Sequence, residues 1–135
     1  MSLKKVRVTH PEVPEPPPET WSNCLVVGQH VYISGLTAWD GEQVVGIGST
    51  REQTKHIFEQ TRKLLSAADA HIDDIVKMVI YVTNIEDKFE VWKARREFFS
   101  GIYPASTLVE ISALFRPEIL VEIDLVGIIG ARTAP

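Results

Sequence analysis

Between Cys24 and Ser34 two apolar runs, Leu25-Val26-Val27 and Val31-Tyr32-Ile33, flank Gly28-Gln29-His30. Glycine supplies the positive φ a tight turn demands, so this segment is predicted to be a β-hairpin. From residue 49 the period lengthens. Ser49 and Glu52 have the spacing of a capping box, and Thr54, Ile57, Phe58, Thr61, Leu64, Leu65 and Ala68 then recur at three- and four-residue steps. That stripe predicts a helix with one packed face, while Arg51, Lys55, Glu59, Arg62 and Lys63 fall mainly on the wet side. Ile75 to Thr83 is rich in β-branched residues and nearly continuous in apolar character, as in a strand covered on at least one face. Asn84 is placed to cap a second helix carrying Phe89, Trp92 and Phe99 on one side, with Gly101 and Pro104 ending it. Two more strands are predicted, Thr107 to Ala113 and Ile119 to Ile129, the latter alternating through Leu120, Glu122, Asp124 and Val126.

The order β-β-α-β-α-β-β specifies an α/β (α+β) fold: one domain, a mixed sheet and two helices on one face. Such helices leave the other sheet face bare, and in a chain of 135 residues the economical cover is a closed ring of identical subunits. Two stretches lie outside this pattern. Pro11 to Pro18 holds five prolines in eight positions, which predicts a stiff extended arm, with a disordered tail as the alternative. Residues 1–20 are therefore read as an N-terminal arm and 21–135 as the domain. Trp39 to Gly48 contains three glycines without nucleotide-fold spacing and is read as a loop.

Composition narrows the function classes. No apolar run is long enough for a membrane helix and the N-terminus lacks an apolar secretory stretch, so a cytoplasmic protein without a membrane partner is expected. The net charge is −4, with basic and acidic residues interleaved, which disfavours nucleic acid as a partner. Cys24 lies in an apolar run and is read as a small hydrophobe. His10, His30, His56 and His71 have no ligand spacing, so neither metal nor cofactor is expected.

Tyr32-Ile33-Ser34-Gly35, Gln53-Thr54, Asp74-Ile75-Val76-Lys77 leading into Tyr81-Val82, Phe98-Phe99, Tyr103-Pro104-Ala105 and Val121-Glu122-Ile123 follow one another in a specific order. In this the chain resembles the RidA (YjgF) family, also labelled endoribonuclease L-PSP, from about Trp21 to Gly130. The resemblance implies a homotrimer whose sheets form a central barrel, with small-molecule clefts between subunits. It also implies hydrolysis of reactive enamines and imines with release of ammonia. On this resemblance Glu122 is the catalytic carboxylate, and Trp21, Ser34, Gly35, Trp92, Ser106 and Leu108 stand at substrate-binding positions.

The family's carboxylate-gripping arginine position holds Ser106. One neutral hydrogen bond replaces a bidentate, charge-assisted pair, a loss of roughly 1.5–3 kcal/mol, so carboxylate-bearing imino acids are expected to bind poorly and Ser106→Arg to improve them. Trp92, Arg95 and Leu108 also depart from the family pattern. Arg95, Arg96 and Arg116 are read as solvated surface arginines rather than replacements. Alternation puts Glu122 on one strand face with Leu120 and Asp124, where partial burial would poise its carboxyl for proton transfer. Three functions follow: an enamine/imine deaminase, a non-catalytic metabolite-binding trimer and, less favoured, an endoribonuclease.

Overall fold

The computed structural model describes residues 3–132; the outermost residues of the expected arm and domain lie outside them. The elements are β1 (Val6–Arg7), β2 (Cys24–Val27), β3 (His30–Leu36), α1 (Thr50–Ala67), β4 (Ile75–Val82), α2 (Lys88–Arg96), β5 (Ala105–Glu110) and β6 (Val121–Ile128). They form one six-stranded sheet in the order β1-β2-β3-β6-β4-β5. Only β4 and β5 pair in parallel, joined by α2, so the sheet is mixed as expected.

Val27 pairs with His30, leaving the two-residue turn Gly28-Gln29, and Gly28 alone carries the positive φ, 61°. A turn with glycine in its first central position has this geometry. The register of the hairpin then fixes which side chains enter the core. Val31 and Ile33 of β3, Met78, Ile80 and Val82 of β4, and Val121, Ile123 and Leu125 of β6 are buried against α1 and α2. Their neighbours along the strands, Tyr32, Val79, Tyr81, Glu122, Asp124 and Val126, take the other face, which the helices leave open.

Ser49 does cap α1 by accepting the Glu52 N–H at 3.1 Å, but the capping box is not reciprocal, because the Glu52 carboxylate turns to Lys55 at 3.8 Å. The predicted helical stripe is buried and widens to include Gln53 and Gln60. Asn84 caps a single 3-10 turn, Ile85–Asp87, that leads into α2. The inward face of α2 is Val91 and Ala94, followed by Phe98 and Phe99 beyond its end; Phe89 and Trp92 are not on it. Of the three aromatics expected on one side, Phe99 is buried beyond the helix end, while the exposed Phe89 and the partly buried Trp92 form an edge-to-face pair at 5.5 Å. The strand expected at 107–113 begins at Ala105 and ends at Glu110, because its parallel partner β4 ends at Val82 and the last backbone bond is Ile111 N–H to Val82 C=O.

The arm carries a strand of its own. Val6 and Arg7 pair with Val26 and Leu25, and Val8 and Val13 join the core at 9% and 4% exposure. Among the described residues no helix is long and apolar enough to cross a membrane.

At the opposite end Asp74 is fully buried, accepting from the backbone and guanidinium of Arg132 at 2.9 and 2.8 Å and from the His71 N–H at 3.0 Å. Burial alone would raise its carboxyl, but the Arg132, His71 and Gly130 backbone hydrogen bonds outweigh burial and hold it below the usual carboxylate range. Asp74→Asn should therefore cost about 2–3 kcal/mol in urea unfolding at neutral pH. A depressed folded value places this stability above the unfolded carboxylate range, so the difference from wild type should vanish as pH falls through the folded value.

Candidate functional site

Glu122 is positioned from three directions. Pairing sets it opposite Tyr81, between the fully buried Val121 and Ile123, so its side chain leaves the core side of the sheet. The buried amide of Gln53 on α1 donates to the Glu118 carbonyl at 2.8 Å and accepts the Leu120 N–H at 2.9 Å, which pins the start of β6 to the helix. Finally, β3 shifts register between Ile33 and Leu36, and Gly35 in that irregularity presents no side chain to the carboxylate. A Cβ built there would lie 2.6 Å from Glu122 Oε2, so the carboxylate rests against the glycine backbone.

Burial pushes the Glu122 carboxyl above its ordinary range, and the negative charge of Asp124 adds to the shift. Asp124 is itself fixed by the Tyr81 hydroxyl, which donates to it at 3.1 Å. No basic side chain among the described residues pairs with Glu122. The result is a poised carboxylate with its charge unopposed.

Glu122 and Gly35 line a cavity of about 550 Å³. Trp21, Trp39 and Phe115 supply aromatic walls, the arm from Val13 to Pro17 closes another side, and Asn23 and Gln60 add amides. The Asn23 amide donates to the Pro14 carbonyl at 2.8 Å, and the Gln60 amide to the Trp39 carbonyl at 3.1 Å. Both walls are thus tied to the domain.

A second cluster lies on the other side of the sheet. Ser106 and Leu108 pair with Met78 and Ile80, both fully buried, so they share the helix-facing side, where Leu108 packs against the core. Arg95 reaches across from α2, and its Nη1 donates to Ser106 Oγ at 2.9 Å and lies 3.7 Å from Met78 Sδ. Burial presses its pKa downward, with Tyr103 opposing, and no carboxylate pairs with it among the described residues.

Trp21, Gly35 and Glu122 therefore meet in one cleft, while Ser106 and Leu108 stand apart from them within a protomer. Ser34 sits beside the cleft with its hydroxyl turned away, donating to the Ser22 carbonyl at 3.0 Å, which ties β3 to the segment carrying Trp21. Trp92 is partly buried, lies against Phe89 and lines no part of this cavity. The solvated reading holds for Arg96. It holds also for Arg116, which is exposed and stacks 4.1 Å over the Trp39 ring, and fails for Arg95, which is half-buried on Ser106. Trp39, Phe115, Gln60 and the arm were not foreseen as cleft residues.

A half-open sheet, two helices on its closed side and an unopposed carboxylate in a cleft define a small α+β domain. The chain belongs to the endoribonuclease L-PSP family, that is, the RidA (YjgF) family, whose profile matches residues 14–129. A RutC family protein of Pyrococcus abyssi is 28% identical over 109 residues, spanning 79% of this chain and 84% of its own. Among solved structures, a protein of unknown function from Pseudomonas aeruginosa is 34% identical, with a TM-score of 0.88 over 99% of both chains. A Rid family protein from Yersinia pestis gives 26% and 0.85 over 93% of this chain and all of that one. RidA from an Antarctic Psychrobacter gives 26% and 0.82 over 92% of this chain and 99% of that one.

Proposed function

We propose that the protein hydrolyses reactive enamines or imines to carbonyl compounds and ammonia, in clefts between the subunits of a homotrimer. The observation that carries this reading is Glu122: a carboxylate with a raised pKa, no cationic partner among the described residues, and a fixed place in the lining of a largely apolar cleft. As general base it takes a proton from water as the oxygen attacks the C=N carbon. That proton passes to nitrogen to give the carbinolamine; the hydroxyl proton then follows to nitrogen, the C–N bond breaks, and ammonia leaves as C=O forms.

The trimer is supported by the open sheet face, where Tyr32 and Val109 are 46% and 39% exposed, and by the free edge of β5. Apposing that edge to a neighbour's cleft would join the two clusters that one protomer keeps apart. Arg95 then offers the guanidinium that Ser106 lacks, so substrates with a carboxylate are accommodated rather than lost. It also changes the expectation for Ser106→Arg, which would crowd a second guanidinium against the first.

Imines generated in situ from amino acids, with ammonia followed over time, test the reaction. The protein should shorten the imine lifetime well beyond the spontaneous rate; an unchanged lifetime, with ligands still raising the melting temperature, would leave the metabolite-binding trimer instead. Arg95→Ala should raise KM about tenfold for imines bearing a carboxylate and change it little for those without one, in line with loss of one charge-assisted pair. Sedimentation at micromolar concentration should give a trimer. RNA cleavage, the activity in the family's label, is disfavoured by the net charge of −4 and by Glu15 and Glu122 in the cleft.

A further inference from the structure

The reaction at Glu122 does not account for the proline-rich wall of the cavity it lines. Val13 is buried, the Pro14 carbonyl is held by the Asn23 amide, and Glu15 is paired with Arg7. Pro14, Pro16 and Pro17 have fixed φ, so this wall needs no ordering when a ligand arrives. Facing the same space, Trp39 and Phe115 meet edge to face with centroids 6.2 Å apart, and Arg116 stacks on Trp39. The amide donors of Asn23 and Gln60 are already engaged by backbone carbonyls, which leaves few donors for a polar substituent. With Glu15 paired, Glu122 is the one unpaired charge among the described residues lining the space.

We infer that the proline wall and the Trp39–Phe115 pair form a side-chain pocket that selects substrates carrying an aromatic or bulky branched group on the imine carbon. The inference rests on the hydrolysis proposed above and names its substrate class. A cavity of about 550 Å³ falls in the range that holds small ligands, and a flat ring presents the same faces to prolines and aromatics that those walls present to it. An acidic side chain would meet Glu122 and be repelled; a methyl group would leave most of the space to water. Glu122, in the lining of the same pocket, would face the reacting carbon.

Competition between imines made from phenylalanine, leucine and alanine tests the pocket. Wild type should favour the phenylalanine- and leucine-derived imines by kcat/KM at least about tenfold over the alanine-derived one. Phe115 is 62% exposed, so Phe115→Ala should fold normally. It should erase most of that preference, lowering kcat/KM for the phenylalanine- and leucine-derived imines far more than for the alanine-derived one. Equal losses on all three, or an unchanged ratio, would overturn the pocket. Titration with indole, read by calorimetry, separates this from the reaction itself. Binding that weakens in Phe115→Ala and Trp39→Ala supports the pocket even if no imine is turned over, an outcome that would overturn the hydrolysis alone. Indole that binds neither wild type nor variants, or all equally, overturns the pocket even where imines are hydrolysed.

Discussion

Glu122→Gln is expected to lower kcat for imine hydrolysis by about 10²- to 10³-fold, the usual contribution of a positioned general base. Glutamine has the same shape and can still lie against Gly35, so neither the cleft nor the sheet register should change. The pH dependence separates a chemical role from a structural one. Burial, aided by Asp124, raises the Glu122 carboxyl, so the basic form is gained at higher pH than for an ordinary carboxylate. Wild-type kcat/KM should therefore climb through a range displaced upward from free glutamate, and that rise should be missing from the residual activity of Glu122→Gln. Stability should move the opposite way. A raised folded value means that the stabilising contribution is complete below the unfolded value and is lost as pH rises through the folded one. Above that range wild type carries a half-buried charge that the amide variant does not, so Glu122→Gln should melt higher at neutral pH, with the gap closing in acid. A variant that keeps full activity, or one that melts lower at neutral pH, would show that the carboxylate holds the sheet rather than the reaction.

The same split between scaffold and chemistry governs what the sequence reveals. Hairpin, first helix and the β4 and β6 strands were legible because periodicity records burial directly: Ile57, Phe58, Leu64 and Leu65 at helical spacing, Val121, Ile123 and Leu125 at strand spacing. The second helix was less legible because it ends at Arg96: Phe89 and Trp92 pair with one another, Phe99 packs in the core beyond the helix end, and the helix's own core contact falls to the smaller Val91 and Ala94. Glu122 and Gly35 were legible through the family resemblance, and Glu122 also through alternation. Their meeting depends on a register shift in β3 that no local pattern records. Arg95 was beyond reach for a similar reason. Whether a helix arginine is solvated or lies on a strand serine eleven residues further along the chain depends on how α2 returns along β4, and composition does not encode that path. The arm was half legible, since its stiffness follows from proline while its docking follows from two valines and one asparagine amide.

Gly35→Ala should remove most of the activity with little effect on folding. Gly35 has no positive φ among the glycines of this chain, so alanine there carries no backbone strain. The added Cβ would nonetheless fall 2.6 Å from Glu122 Oε2, 2.7 Å from its Cδ and 3.0 Å from its Cγ. The two nearest atoms are the carboxyl end of a flexible side chain, so the carboxylate can swing away while the sheet need not move. What is lost is position: a displacement of about 1 Å at a reacting group is enough for roughly a 10²-fold fall in kcat. Gly127→Ala provides the contrast, because the nearest atom to its added Cβ is the Asp74 backbone carbonyl at 3.3 Å, beside the buried carboxylate that anchors Arg132. That variant should lose stability and leave kcat per folded molecule unchanged. If Gly35 acts through Glu122 and not through the fold, its effect must disappear once the carboxylate is gone. The double variant Gly35→Ala/Glu122→Gln should then be no slower than Glu122→Gln alone, whereas multiplied losses would mean that the glycine serves the cleft in some other way.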